Sequence, residues 1–241
     1  MDNYVKYLKY KLKYYNLKNN IMYGGNPHGD AMRKIFPAKE GVEYNNLQIH
    51  EEGYYSATPP GDSLQIFKFM EKYMGRLDDK IITDLTGNVG GDTIAFALKF
   101  KYVHSIEINH ETFEILENNV NVFKLGNVRL YEGDSTSIYD WPTDVLYIDA
   151  PWGGKDYILK KKLDLLLGDI KIDNFLNTIL QKENRPKWIF LKVPRNYNFS
   201  AIDKLNERFR FVKYSKENIM RFKKRFNDNV VSYNIICIQV Y

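Results

Sequence analysis

Apolar residues recur along this chain at two periods, and the switch between them marks out the elements. Val5, Leu8, Leu12 and Tyr15 fall at i, i+3, i+7 and i+10, one face of a helix over Tyr4 to Leu17, with Lys6, Lys9, Lys11, Lys13 and Lys18 on the other faces. Gly24, Gly25, Asn26, Pro27, His28 and Gly29 then break any helix, and Asp30 is placed to cap a short one through Phe36. An irregular stretch leads to Tyr54-Tyr55-Ser56-Ala57-Thr58-Pro59-Pro60. From Asp62 the pattern becomes regular. Helices are expected at Ser63 to Met74, Thr93 to Phe100, Glu111 to Leu125, between Ile170 and Gln181, and at Ala201 to Phe209. Strands are expected at Ile81-Ile82, Val103 to Ile108, Val128 to Tyr131, Val145 to Ile148, Trp188 to Val193, Phe211 to Tyr214 and Val230 to Val240.

Strands that alternate with helices imply a parallel sheet with right-handed crossovers. The last two strands have no helix between them and should close one edge as an antiparallel hairpin. The expected fold is α/β: a seven-stranded, doubly wound, mostly parallel sheet. Residues 1–57 read as a partly helical N-terminal extension too poor in apolar residues for its own core, and 58–241 as the sheet domain.

Composition narrows the classes. The 241 residues carry 35 Lys+Arg against 30 Asp+Glu, a net charge of +5 that permits a nucleic-acid partner without demanding one. Hydrophobic residues at 44% and charged ones at 27% exclude a mainly disordered chain. The one cysteine, Cys237, excludes a disulfide framework and a cysteine-based zinc site. His28, His50, His104 and His110 show no metal-ligand spacing. No apolar run approaches a membrane span and the Lys/Tyr-rich start does not read as a signal peptide, so the expectation is a soluble intracellular chain with no membrane partner. Richness in Lys, Asn, Ile and Tyr fits an AT-rich genome.

Ligands of doubly wound sheets bind at the carboxyl ends of the strands, so chemistry is sought there. Asp84-Leu85-Thr86-Gly87-Asn88-Val89-Gly90-Gly91 follows the first strand and opens a helix, the place where small residues let the backbone approach a ligand. Glu107 ends the second strand, 20 residues after Gly87, where an acid that holds ribose hydroxyls belongs; the alternative is a solvated acid or a helix cap. Asp134 follows the third strand and suits an adenine amino group. Three acids beside a glycine loop describe a nucleoside with a cationic or zwitterionic tail. S-adenosylmethionine fits better than a dinucleotide, because Asp84 would repel a pyrophosphate. After the fourth strand comes Asp149-Ala150-Pro151-Trp152-Gly153-Gly154. Acceptors at Asp149 and the Ala150 carbonyl suit an exocyclic amine awaiting a methyl group, and Trp152 suits a stacked base, above all a cationic one. The plainer alternative is a buried Trp after a proline turn, with Asp149 as a cap.

These segments together resemble the trimethylguanosine synthases, the RNA-cap guanine-N2 methyltransferases of the class I S-adenosylmethionine-dependent fold. Gly53-Tyr54-Tyr55-Ser56-Ala57-Thr58-Pro59 is similar to the family's Ser-x-Thr-Pro element, and Gly90 to Leu98 to its glycine-loop helix. Pro151-Trp152-Gly153-Gly154 with Asp156-Tyr157 resembles its catalytic loop, and Pro194-Arg195-Asn196 the element after the fifth strand. The resemblance implies that Thr58, Asp84, Glu107 and Asp134, with Gly87 and Gly90, bind S-adenosylmethionine. It implies that Asp149 and Pro151 flank the guanine N2, that Trp152 stacks on 7-methylguanine, and that Arg195 and Asn196 reach the cap phosphates. The implied partners are capped RNA or 7-methylguanosine nucleotides, in the nucleus or cytoplasm of a eukaryotic cell, virus-infected or not. Three departures stand out: Asn88 where the family usually has glycine, Ala150 in place of a proline, and Asp149 where Ser or Asn is frequent. Asn tolerates positive φ best, so the glycine loop is expected intact. Rival readings are an amino-methyltransferase for guanine or adenine in other RNA or DNA, and a catalytically silent cap-binding module. The last expected hairpin contains Lys213, near the end of its first strand, and Lys216, Arg221, Lys223, Lys224 and Arg225 in the connection, where they suit RNA phosphates beyond the cap or simply a solvated loop.

Overall fold

The computed structural model describes residues 27–214, 219–226 and 229–241. The helix expected over Tyr4 to Leu17 lies outside them, as does Lys216. The sheet runs β3 (Val128–Glu132), β2 (Tyr102–Glu107), β1 (Ile81–Asp84), β4 (Val145–Ile148), β7 (Trp188–Pro194) and β10 (Asn229–Val240), with β8 (Val212–Lys213) and β9 (Ile219–Phe226) on the outer edge of β10. Its parallel half is β1, β2, β3, β4 and β7. All four residues of β4 are buried, the uninterrupted apolar run that a strand covered on both faces requires.

Alternation along the strands sorts their side chains between two cores. Val145, Tyr147, Phe190, Ile235 and Cys237 face α3 (Pro60–Met74) and α4 (Gly91–Ala97), against Ile66, Phe67, Met70 and Phe96. Leu146, Ile148, Ile189, Leu191 and Ile236 face α7 (Ile172–Leu180) and α8 (Ser200–Arg208), against Phe175, Leu176, Ile202 and Leu205. By this period Lys192 belongs with Phe190 on the α3/α4 face. Cys237 is fully buried in the middle of β10 (Asn229–Val240), and burial pushes its thiol up to about 12.

The segment before α3 packs against the elements that flank the sheet. Met32, Ile35, Phe36, Tyr44 and Leu47 share a third core with Val89, Ile94 and, from α5 (His110–Val122), Leu116 and Val120. Asn119 fixes the join: its buried amide donates to Gln48 O and Val89 O, both at 2.8 Å, while Gln48 N donates to its Oδ1 at 2.8 Å.

The structure corrects the element reading at several places. Pro27 and Gly29, expected as breakers, lie in the short helix α1 (Pro27–Met32), since proline is favoured in a first helical turn. A second helix, α2 (Glu51–Ser56), occupies the stretch read as irregular, capped by His50, whose Nδ1 accepts from Gly53 N at 2.9 Å. α6 (Ser135–Ile138) and a small ribbon of β5 (Leu166–Leu167) and β6 (Ile170–Lys171) add to the expected elements. The seventh strand position is split. β8 (Val212–Lys213) and β9 (Ile219–Phe226) lie end to end on β10, and from Val212 to Ile219 one side advances seven residues while the other moves four, Val240 to Ile236. Arg221 and residues 223–225, expected in a connection, are therefore strand.

Candidate active site

The topology brings three strand ends onto one face. Asp84 pairs across to Tyr147 in the β1–β4 register, and continuing the β4–β7 register (Tyr147 to Phe190, Ile148 to Leu191) sets Asp149 beside Lys192. Lys192 is 4% exposed, and its Nζ donates to Asp149 Oδ2 at 2.6 Å and to Thr58 Oγ1 at 2.8 Å. The Thr58 hydroxyl in turn donates to Asp92 Oδ2 at 2.9 Å, in the first turn of α4. Asp84 is fully buried, accepting from Thr93 Oγ1 at 2.8 Å and Thr86 N at 3.1 Å. Thr86 Oγ1 accepts from Asp149 N at 3.0 Å, which joins the first and fourth strand ends directly.

Charges are crowded here. Burial, with Asp92 and Asp149 near, pushes the Asp84 carboxyl up to about 7 against the Thr93 and Thr86 hydrogen bonds. Burial takes Asp149 up to about 6, with Lys192 holding it from rising further. Burial pulls the Lys192 ammonium down, but Asp149, Asp92 and Asp62 outweigh it and keep its pKa above that of an ordinary lysine. Tyr233 also flanks Lys192: its ring centroid is 5.4 Å from Lys192 Nζ and its hydroxyl donates to Asp62 at 2.7 Å.

The glycine loop is shaped by packing as much as by any ligand. A Cβ on Gly87 would come within 2.5 Å of Ser105 Oγ and 2.8 Å of a Leu116 methyl, so nothing larger fits against β2 and α5. Asn88 takes φ 47° as expected of asparagine, and its N–H donates to Glu107 Oε2 at 2.8 Å. Asn109 N donates to the other oxygen, Oε1, at 2.9 Å. Glu107 is thus anchored by one backbone N–H on each oxygen, with lone pairs remaining for hydroxyl donors. Gly90, at φ 94°, precedes α4 as its N-cap. Asp134 stands apart from the Lys192 group. It caps α6, accepting from Thr136 N at 2.9 Å, and a Cβ on Gly168 at the ribbon tip would lie 3.0 Å from both of its oxygens.

The Asp149 loop turns through two consecutive left-handed residues, Gly153 (φ 84°) and Gly154 (φ 73°), a conformation that glycine takes without strain and that residues with a Cβ adopt only rarely. Pro151 is exposed. Trp152 is half-buried between both sheet cores, edge-on to Tyr157 at 5.1 Å, and its buried Nε1 has no hydrogen-bond partner among the described residues. Arg195, after β7, is exposed. Asn196 is placed differently from expectation: its Nδ2 donates to Tyr157 O at 2.7 Å and Lys160 O at 2.8 Å, which commits both amide hydrogens to the loop rather than to a phosphate.

Sequence reasoning missed Lys192, Asp92, Tyr233 and Asp62. A signal existed for Lys192, the lone charge inside Trp188-Ile189-Phe190-Leu191-Lys192-Val193. Among the described residues no group of three or more His, Cys, Asp or Glu is arranged to hold a metal ion, and no helix is long and apolar enough to cross a membrane. The acids fit a zwitterionic sulfonium donor: Glu107 presents anchored acceptors for a sugar diol, and Asp84 and Asp92 supply negative charge beside the loop for a cationic tail.

A family model described as RNA cap guanine-N2 methyltransferase matches residues 79–237. An uncharacterized protein of Acanthamoeba polyphaga mimivirus is 34% identical over 128 residues, 52% of this chain and 50% of that one. The match thus spans about half the length of this curated relative. Among solved structures, a candidate RNA methyltransferase from Pyrococcus horikoshii is similar with a TM-score of 0.54 and 15% identity, covering 90% of this chain and 99% of the other. Precorrin-6y C5,15-methyltransferase from Geobacter metallireducens gives 0.53 and 14%, covering 83% and 96%. At such identities the likeness establishes the shared fold alone, the class I methyltransferase architecture; the family match is what carries S-adenosylmethionine as the methyl donor.

Proposed function

The chain belongs to the RNA cap guanine-N2 methyltransferase family, and from that premise we propose that it methylates the exocyclic N2 amine of 7-methylguanosine in the RNA 5′ cap. The observation that carries this reading is the Asp149–Trp152 loop at the end of β4, with Asp149 clamped by Lys192 and Trp152 half-buried beside it. When bound, S-adenosylmethionine supplies an electrophilic methyl group on a sulfonium sulfur, held by Thr58, Asp84, Glu107 and the glycine loop. Asp149 has one oxygen engaged by Lys192 and keeps 19% side-chain exposure, so its other oxygen is the acceptor for an N2 hydrogen. The Ala150 carbonyl is a second acceptor. Together they hold the amine with its lone pair toward the methyl group, and Asp149 takes up the proton that N2 releases. Trp152 stacks on the base. A 7-methylguanine ring carries positive charge, which strengthens its attraction to the indole face. Arg195 offers the planar donor fork that suits the phosphates of the cap.

The test is mass analysis of 7-methyl-GTP, GTP and a capped oligonucleotide after incubation with the donor. Methyl transfer to 7-methyl-GTP and the oligonucleotide but not to GTP is expected. Equal transfer to GTP would favour a general guanine amino-methyltransferase, and no transfer alongside tight cap binding would favour a silent module. Trp152→Ala should lower kcat/KM for 7-methyl-GTP roughly 10–100-fold, the worth of one stacked base. Donor affinity by calorimetry should be nearly unchanged. Equal loss of both would make Trp152 a structural residue.

A further inference from the structure

Lys192 is a buried cation for which the methyl-transfer chemistry above has no direct use. It occupies the centre of the site, joining the acceptor loop (through Asp149), the segment before α3 (through Thr58) and, by way of Thr58, Asp92 of α4. A lysine with 4% exposure inside an apolar strand is costly unless its charge is matched. Its match is Asp149, at 2.6 Å.

We propose that Lys192 is a positioning residue that keeps Asp149 ionised and turned so that one carboxylate oxygen remains free to accept a hydrogen from the substrate amine. The inference rests on the methyltransferase reading for the identity of the amine, but the clamp itself is in the structure. Around Asp149 stand Asp92 from α4, Asp84 from β1, Tyr147 from β4, Tyr233 from β10 and, beyond Tyr233, Asp62 from α3. Burial most of all, and Asp92 beside it, favour the protonated form of Asp149; Lys192 favours the carboxylate, both by its charge and by its hydrogen bond. A protonated Asp149 is a donor on one oxygen and loses the means of taking up the proton that N2 releases. Removing Lys192 should therefore raise the pKa of Asp149 by roughly 1–3 units, the usual effect of one opposite charge at contact distance. At neutral pH the acid would then be at least half protonated. The acidic limb of the turnover profile should move to higher pH by the same amount, with activity recovering in alkaline buffer.

The experiment uses Lys192→Met, which keeps the stem length without the charge. Carbon-13 carboxyl NMR on aspartate-labelled protein follows Asp149 directly, its signal identified by loss in Asp149→Asn. The expected result is titration at higher pH in Lys192→Met than in the wild type; titration at the same pH overturns the proposal. Since the measurement needs no substrate, a chain that fails to methylate 7-methyl-GTP yet shows this shift would overturn the cap reading and leave the clamp standing. Should Lys192→Met fold poorly, the Lys192→Met/Asp149→Asn double variant, neutral at both positions, provides the second arm. It should be no slower than Asp149→Asn alone, because no carboxylate is left to hold ionised. A further large loss in the double variant would make Lys192 a scaffold residue and overturn the proposal.

Discussion

Asp84 shows how one carboxyl can link stability, pH and ligand. It is fully buried with its pKa pushed up to about 7 from an ordinary 3.8, so the folded state binds the proton more tightly than the unfolded chain. The stability that this adds is complete below about pH 4 and is lost as the pH rises through about 7. A cationic donor prefers the ionised form, so its affinity should rise across the same window. Asp84→Asn should flatten the fall in ligand-free melting temperature between about pH 5 and pH 8, and should weaken donor binding roughly tenfold above pH 7, a difference of about 1.4 kcal/mol. Melting curves of both proteins with and without donor check this; parallel pH slopes would exclude Asp84 as the linked group. Asp84, Glu107 and Asp149 were legible in the sequence because a doubly wound sheet delivers the residue after each strand to one edge. Lys192 was not, because its meaning depends on Asp149, 43 residues away, and Thr58, 134 residues away. Along the chain it is only a polar interruption of an apolar run.

The element that follows Trp152, the 3-10 turn Gly154–Leu159, is held by Asn196 from the far side of β7. Asn196→Ala removes two hydrogen bonds to carbonyls that water can partly satisfy, so the melting temperature should drop by only a few degrees. The loop should loosen, and kcat/KM should fall about tenfold, as expected when a positioned group shifts by a fraction of an ångström. The fall should be equal for 7-methylguanosine and 7-methyl-GTP. A larger fall for the triphosphate would return Asn196 to the phosphates. Pattern reading found most helices and strands within a few residues but misplaced three kinds of element. α2 begins at a histidine cap, an uncommon choice, and the β5–β6 ribbon pairs only two residues a side. β9 is an edge strand whose charged residues resemble a loop, and such charges discourage pairing with another chain. Phe222, buried and stacked on Tyr233 at 4.5 Å, with Ile219 and Met220 partly buried against the cores, marks its inward face.

Across the whole molecule the excess of five positive charges conceals a division of sign. Acids gather inside the site, while Lys160, Lys161, Lys162 and Arg195 are exposed beside the acceptor loop. β9 runs parallel to β7, so the end of β9 that carries Lys223, Lys224 and Arg225 points toward the same sheet edge as Asp149. If this hairpin meets RNA, neutralising those three residues should reduce the salt slope of capped-RNA binding by about 0.7 for each phosphate that is no longer paired with a cation. A slope identical to that of the wild type would exclude the hairpin. The buried position of Cys237 gives a direct route to the same question. With its thiol inside the sheet and its pKa raised by burial, the natural chain should react with maleimides far more slowly than a chain with an exposed cysteine. A cysteine placed at one chosen surface position can therefore carry the only photo-crosslinker on the molecule, and the path of the RNA can be mapped one attachment point at a time.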